Sequence, residues 1–211
     1  KTSGAVTLQN KVRIEGTQSE VTAALVTNPS KVLANATDTE ARVTNAVDVS
    51  EGSAIGAVAK IKGIFAGGVS DSLSNLASGG SASSNLTTIT GDDSDVAITI
   101  SDGTFASTSA TLSATDVSAV GGATTGTVTV SNAVKIVGAA SDLTNTLVTS
   151  GSSVTASTAL VDISDGTFAS TSATIAATVL GNIGAKTSGT VTVSNAVKIV
   201  GAASDLTNTL V

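Results

Sequence analysis

Aspartates in short turn-like stretches are the residues of this sequence whose type and spacing could support chemistry. Asp92, Asp93 and Asp95 lie in the stretch GDDSD, and Asp102 and Asp165 each lie in an SDG triplet. Calcium binds several oxygen atoms, which acidic turns can offer, so these five aspartates are candidate calcium ligands. An aspartate in a turn more commonly accepts a hydrogen bond from neighbouring backbone, and that alternative stays open.

Other kinds of chemistry lack the residues they need. The chain contains no histidine and no cysteine, which excludes Ser-His-Asp and Cys-His catalysis. It also lacks tryptophan and tyrosine, the aromatic platforms of sugar-processing clefts, and it carries neither a phosphate-binding loop nor a dinucleotide fingerprint. The sequence therefore predicts a protein that is not an enzyme, with no catalytic and no cofactor-binding residues other than the calcium candidates.

Charge and hydropathy exclude two further classes of partner. The net charge of -6 and the pI near 4.4 disfavour nucleic acid, whose phosphates require clustered lysine and arginine. No apolar run reaches the roughly 18 residues that a membrane-spanning helix needs.

The most informative feature is an internal repeat. The 23 letters GTVTVSNAVKIVGAASDLTNTLV occupy 126–148 and return unchanged at 189–211, and a shift of 63 residues matches 39 of 51 positions between 98–148 and 161–211. A weaker copy at 4–26 keeps 11 of the 23 letters. An enzyme gains little from such copying, whereas a protein that provides length or surface gains by adding identical units.

The repeat divides the chain into four parts and predicts that the sequence is a segment of a longer protein. These parts are a divergent repeat at 1–49, an irregular repeat or insertion at 50–97, a repeat unit at 98–160 and a further unit, cut short, at 161–211.

Short strands and short helices alternate within each unit. Alternation of polar and apolar residues over 127–130 and 134–136 predicts strands of three to five residues. The stretch AASDLTNTLV has apolar residues at helical spacing, with Ser141 as the expected cap. In SATDVSAVGG, we expect Ser113 to cap a helix, Asp116 to complete a capping box and the glycine pair 121–122 to end the helix.

These short elements recur every 27 to 36 residues, which predicts a β-solenoid-like repeat fold, mainly β, with short helices or loops between the strands. Tandem β-sandwich domains are the alternative. The stretch GTFASTSAT, identical at 103–111 and 166–174, is expected to be a solvent-facing loop, although the exact copying of Phe105 as Phe168 hints at a buried anchor. Lys135 and Lys198 are expected on the solvent side of their strands, where they oppose edge pairing.

A family resemblance rests on the order of these phrases. The phrases at 98–103, 124–128 and 135–143, and again at 161–166, 187–191 and 198–206, resemble the repeat arrays of giant extracellular and cell-surface proteins, adhesin-like and best known from marine cyanobacteria. The resemblance implies an extracellular or cell-surface location and a structural or adhesive role.

Two functions remain open on this reading. The first is a structural segment of a long extracellular repeat protein that self-associates, or that forms a fibre, sheath or surface stalk with other copies or neighbouring repeats as partners. The alternative is an adhesin or binding module that holds calcium, a glycan or a surface.

Overall fold

A computed structural model of the chain describes residues 5–27, 32–37, 39–149 and 154–210. This part of the chain contains ten α-helices, one π-helical turn at Thr144–Val148 and seventeen short strands. The helices are α1 Gln18–Leu25, α2 Val49–Gly56, α3 Leu73–Leu76, α4 Ser84–Asp92, α5 Phe105–Thr108, α6 Ala114–Ala123, α7 Ala140–Leu143, α8 Phe168–Thr171, α9 Ala177–Gly184 and α10 Ala203–Leu210.

The strands contain two to five residues each. They are β1 Val6–Leu8, β2 Arg13–Gly16, β3 Val32–Ala34, β4 Thr39–Val43, β5 Ile61–Phe65, β6 Val69–Asp71, β7 Ala77–Ser78, β8 Ser81–Ala82, β9 Ile98–Ile100, β10 Thr111–Ser113, β11 Val128–Val130, β12 Lys135–Gly138, β13 Val154–Thr155, β14 Leu160–Ile163, β15 Thr174–Ala176, β16 Val191–Val193 and β17 Lys198–Val200.

These strands form several small parallel sheets. Two sheets have four strands, in the orders β6-β9-β11-β13 and β10-β12-β14-β16, and a third has the order β2-β4-β5. Strands β1 and β3, and strands β15 and β17, form parallel pairs, while β7 and β8 form a small antiparallel hairpin. The register places Val128 beside Ile98 on one side and Val154 on the other. Each parallel pair thus joins two segments that are separated along the chain, as β11 is joined to the earlier β9 and the later β13.

The parallel pairing explains why helices are frequent. Parallel neighbours cannot be joined by a tight hairpin, so the chain must cross back over the sheet between them. Helix α1 makes such a crossing and starts with a capping box, in which the Thr17 hydroxyl accepts from the Glu20 amide and the Glu20 carboxylate accepts from the Thr17 amide at 2.8 Å. The hydrogen bonds that the Thr17 amide and the Thr17 hydroxyl donate to the Glu20 carboxylate lower the pKa of Glu20.

The core follows the line between sheets and helices. The largest fully buried side chains include Ile55 in α2, Leu86 and Ile89 in α4, Ile98 in β9 and Ile136 in β12. Within the described residues, no buried side-chain nitrogen or oxygen lacks a hydrogen-bond partner. Small aliphatic side chains therefore fill a thin interior without stranding polar groups.

The fold is mixed α/β, so the prediction of a mainly β, β-solenoid-like repeat was wrong. More residues lie in helices than in strands, and the strands form separate short sheets in place of one closed coil. The alternative of tandem β-sandwich domains was also wrong, because sandwiches are built from antiparallel sheets and nearly all strand pairs here are parallel. The alternating phrases identified strands but did not reveal how much of the connecting chain is helical.

Some local predictions need correction as well. AASDLTNTLV is helical in both copies, as α7 with its π-helical turn and as α10. In the first copy, however, the helix begins at Ala140, with Ala139 in the capping position. Ser141 therefore lies inside the helix and does not cap it. Ser113 precedes α6 without a side-chain capping bond, and Asp116 completes no capping box but accepts from the Gly80 amide at 2.6 Å. The glycine pair at 121–122 lies within the helix, which ends at Ala123.

Close backbone contacts explain why glycine is repeated at positions 126 and 189. A Cβ atom on Gly126 would lie 2.2 Å from the Asp95 carbonyl oxygen, and one on Gly189 would lie 2.2 Å from the Ala159 carbonyl oxygen. Both positions adjoin backbone atoms of the preceding segment, which cannot move aside cheaply. Glycine is required at these positions by the close approach of two chain segments.

The two identical repeats allow a matched test of burial. Ile136 is completely buried, whereas Ile199, at the same place in the second copy, is only partly buried. We expect Ile136→Ala to lower the free energy of unfolding by about 2–5 kcal/mol and Ile199→Ala by about half of that or less. Denaturant unfolding of dilute protein measures both, and equal losses would contradict the difference in burial.

Candidate functional site

A row of side-chain oxygens joins successive segments of the chain. In each case an Asn or Asp at the end of a strand accepts a hydrogen bond from the first amide of the helix in the preceding segment. The bonds are Gln18 N to Asn45 Oδ1 at 2.6 Å, Val49 N to Asp71 Oδ2 at 3.1 Å, Leu73 N to Asp102 Oδ2 at 2.7 Å, and Ala140 N to Asp165 Oδ2 at 2.7 Å. Each of these four helices, α1, α2, α3 and α7, therefore receives an acceptor from the segment that follows it.

Two asparagines extend this row by one further segment. Asn132 Nδ2 donates to the Asp102 carbonyl oxygen at 2.6 Å, and Asn195 Nδ2 donates to the Asp165 carbonyl oxygen at 2.6 Å. Asp102 and Asp165 thus accept from the segment before them through the side chain and from the segment after them through the backbone. Three consecutive segments are connected at each of these turns.

The acidic stretch at 91–95 also binds backbone amides. Asp92 Oδ2 accepts from the Gly63 amide at 2.8 Å, and Asp93 Oδ2 accepts from the Phe65 amide at 2.7 Å. Both amides belong to strand β5, at the edge of its sheet. These carboxylates therefore continue the hydrogen bonding that a further strand would otherwise provide.

The five predicted calcium ligands do not form one site. Asp92 and Asp93 bind β5 and Asp95 lies next to Asp93, whereas Asp102 and Asp165 lie at separate turns and bind different helices. In the part of the chain that the structure describes, no group of three or more acidic, histidine or cysteine side chains is arranged to hold a metal ion. The observed partners of four of these carboxylates are backbone amides 25 to 29 residues away, and not the neighbouring backbone of the turn that the alternative expected.

A lysine links the first full unit to the next segment. Lys135 Nζ lies 2.8 Å from Asp162 Oδ2 and 5.4 Å from the centre of the Phe105 ring. In the second copy, Lys198 Nζ lies 5.8 Å from the centre of the Phe168 ring. Phe105 is half-buried and Phe168 is exposed, so neither ring is the buried anchor that the copying hinted at, and in both copies the ring lies beneath a lysine.

The carboxyl groups differ in the direction of their pKa shifts. The hydrogen bond from Lys135, with a second one from Ser194, lowers the pKa of Asp162. Burial, with the nearby Asp95 carboxyl, raises the pKa of Asp93 despite its bond from the Phe65 amide. Ionised Asp162 therefore stabilises the fold, whereas ionised Asp93 is held at a cost.

Comparisons with known proteins give no relative for this chain. No family model matches the sequence, and neither a curated protein nor a solved structure is significantly similar to it. Among the helices of the described residues, none combines the length and the apolar character that crossing a membrane requires. Any functional conclusion must therefore come from the geometry itself.

Sequence reasoning missed part of this row of acceptors. Asn45, Asp71 and Asp162 were not singled out, although each joins two segments. A signal was present, because Asn45, Asp102 and Asp165 each follow the last residue of a strand by two positions. The sequence does not show which amide lies opposite, since the partner is 25 to 29 residues earlier.

Asp102 provides a test of the role of these acceptors. Leu73 is 5% exposed, so Asp102→Ala leaves a buried amide without its acceptor and should lower the free energy of unfolding by about 1–2 kcal/mol. Asp102→Asn retains an oxygen at the same place and should cost clearly less. Thermal or denaturant unfolding measures both; an Asn variant as unstable as the Ala variant would show that the negative charge, and not the acceptor, matters.

The ion pair of Lys135 and Asp162 predicts a pH dependence. Because the pKa of Asp162 is lowered in the folded state, its contribution is fully present above the unfolded pKa and is lost as the pH falls through the folded pKa, below about 4. We expect Lys135→Met to cost about 0.5–1 kcal/mol at pH 7 and progressively less in acid. Unfolding at several pH values measures this loss.

Lys198→Met is the matched control for this prediction. Within the described residues Lys198 has the same ring contact but makes no ion pair with a carboxylate. The Lys198→Met loss should therefore change little between pH 7 and pH 3. A pH-independent loss for Lys135→Met would contradict the assigned ion pair.

Proposed function

We propose that this chain is a structural segment of a long extracellular or cell-surface repeat protein, which self-associates as part of a fibre, sheath or stalk. The observation that carries the proposal is that each segment is completed by the next one. In the first 23-residue stretch Leu147 is 5% exposed, and strands β13 and β14 of the following segment pair with β11 and β12 of this stretch.

The way the segments join supports a role in assembly. Adjacent segments meet through parallel strand pairs, through side-chain acceptors for helix amides and through the ion pair of Lys135. None of these contacts needs a distinct partner, because each joins one segment to the next of the same kind. A surface built in this way is complementary to further segments like itself.

Composition supports a non-catalytic role. The absence of histidine, cysteine, tryptophan and tyrosine leaves carboxylates and a few lysines and arginines as the ionisable side chains. Of the carboxylates singled out as calcium ligands, four accept hydrogen bonds from backbone amides of neighbouring segments. These side chains act in the fold, which favours a structural role over an enzyme or a calcium-dependent binding module.

Self-association gives a direct test of the proposal. We expect the sedimentation coefficient to rise with protein concentration, because apolar strand edges pair more as the concentration increases, and we expect electron micrographs of concentrated protein to show elongated particles. The same particles should persist in EGTA, since the aspartates are occupied by amides. A chain that stays monomeric at every concentration would overturn the proposal, and particles that dissolve in EGTA would support the calcium-dependent binding module.

A further inference from the structure

An open cleft lies between two consecutive segments in the second half of the chain and is called here the α7–α9 cleft. One wall is α7 with its π-helical turn, where Ser141 and Asn145 are exposed. The other wall is β15 with the first turn of α9, where Ile175 and Val179 lie. The volume of the cleft is about 440 Å³, within the range of sites that hold small ligands. Strand β17 pairs with β15 and helix α10 packs against α9, so the chain continues past the cleft with a further segment.

The preceding unit has the same two walls. A shift of 63 residues moves Asp165 to Asp102, β15 to β10 and the residues of α9 into α6. Asp165 accepts from the first amide of α7, and Asp102 accepts from the first amide of α3. In the preceding unit, the space that corresponds to the α7–α9 cleft therefore lies between α3 and α6.

A hairpin of the chain itself fills this space in the preceding unit. After Leu76, strands β7 and β8 form an antiparallel hairpin around Gly79 and Gly80, and the hairpin contacts both α3 and α6. The Gly80 amide donates to Asp116 Oδ1 at 2.6 Å. After Leu143, which has the place of Leu76 in α7, the chain continues directly into the π-helical turn. The hairpin is thus an insertion that the second cleft lacks.

The two units differ in sequence where the hairpin binds. Asp116 is replaced by Val179 and Ser113 by Ala176, whereas the stretch GTFASTSAT shortly before them is unchanged. Val179 and Ala176 both line the cleft. The α7–α9 cleft therefore keeps the walls of the hairpin site but has an apolar side chain where the hairpin site has a hydrogen-bond acceptor.

The cleft offers both apolar surface and hydrogen-bonding groups to an occupant. Ile175 and Val179 supply the apolar surface on one wall. On the opposite wall the Ser141 hydroxyl and the Asn145 carboxamide can bond to backbone amides and carbonyls. A tight turn of small residues meets both conditions, because it leaves backbone groups unpaired and has no bulky side chain to exclude it from a cleft of this size.

We infer that the α7–α9 cleft binds a tight, glycine-containing turn of small residues on a partner protein, in the way that α3 and α6 hold the β7–β8 hairpin. The equivalent space one unit earlier shows such a turn in place. The β7–β8 hairpin of a second copy is already bound to its own α6, so the turn belongs to a different protein. This inference goes beyond the proposed self-association and does not depend on it.

A peptide copy of the hairpin tests the inference. The probe is Cys-Ala-Ser-Gly-Gly-Ser-Ala-Cys, closed by a disulfide because two short strands alone are marginal in water. Added to the full chain, it should shift the methyl NMR signals of Ile175 and Val179 in a saturable way, with a dissociation constant of about 1 mM or below. The methyl signals of Ile64, in β5, should not change.

Two variants and a second peptide make the result specific. Val179→Asp restores the acceptor that Asp116 provides one unit earlier and should tighten peptide binding about ten-fold, because hydrogen bonds to charged groups are strong. Ala176→Phe fills the cleft and should abolish the shifts. A peptide with Ala-Ala in place of Gly-Gly should bind about ten-fold more weakly or worse, since Gly79 and Gly80 both have positive φ. Circular dichroism confirms that both variants keep the parent fold.

Each contrary outcome overturns a stated part of the inference. No saturable shift at Ile175 and Val179, or equal binding of the Gly-Gly and Ala-Ala peptides, would overturn the docking of a tight turn. Peptide binding that Val179→Asp does not tighten would overturn the orientation taken from the β7–β8 hairpin. If the same signals shift with protein concentration in the absence of peptide, a second copy occupies the cleft, and the assignment to a different protein is overturned.

Discussion

The structure depends on hydrogen bonds that each segment cannot complete alone. A short strand followed by a short helix leaves backbone amides unpaired at the strand edge and at the start of the helix. Here the next segment supplies the acceptors: its strand pairs with the first strand, and its Asn or Asp accepts from the first amide of the helix. Short elements become stable because they are completed by their neighbours.

This dependence on neighbours explains the close internal copying. Residues that contact the adjacent segment are constrained by their own segment and by that neighbour. The asparagine at 132 and 195 and the glycine at 126 and 189 are examples. A change at one of these places disturbs a hydrogen bond or a close backbone contact in the neighbouring segment. Repetition and hydrogen bonding are therefore two aspects of one arrangement.

The same dependence decides how exposed the repeated residues are. The apolar residues of the final repeat are equivalent to core residues of the preceding one, and only the absence of a cover exposes them. The charge of Lys198 is in a similar situation, because its counterpart Lys135 has a carboxylate partner in the segment that follows.

Much of the local structure could be predicted from the sequence. Alternating Val and Thr identified β11 and β16, and the spacing of Ala140, Leu143 and Leu147 identified the helical stretch of the first repeat. The overall class was not predictable, because phrases rich in Gly, Ser and Thr carry weak preferences, and helices such as α6 continue through glycines that would normally end them. The candidate aspartates were recognised, but their partners lie in segments distant in sequence.

The sequence by itself determined where the strands and repeated turns occur, because side-chain alternation and turn residues act over a few neighbouring positions. It also determined that the two repeats have the same potential to form a core. Only the tertiary structure decided that one repeat is buried and the other is exposed, since burial depends on the segment that lies against it. The tertiary structure likewise decided that the aspartates accept from distant backbone amides, because strand register brings those groups together.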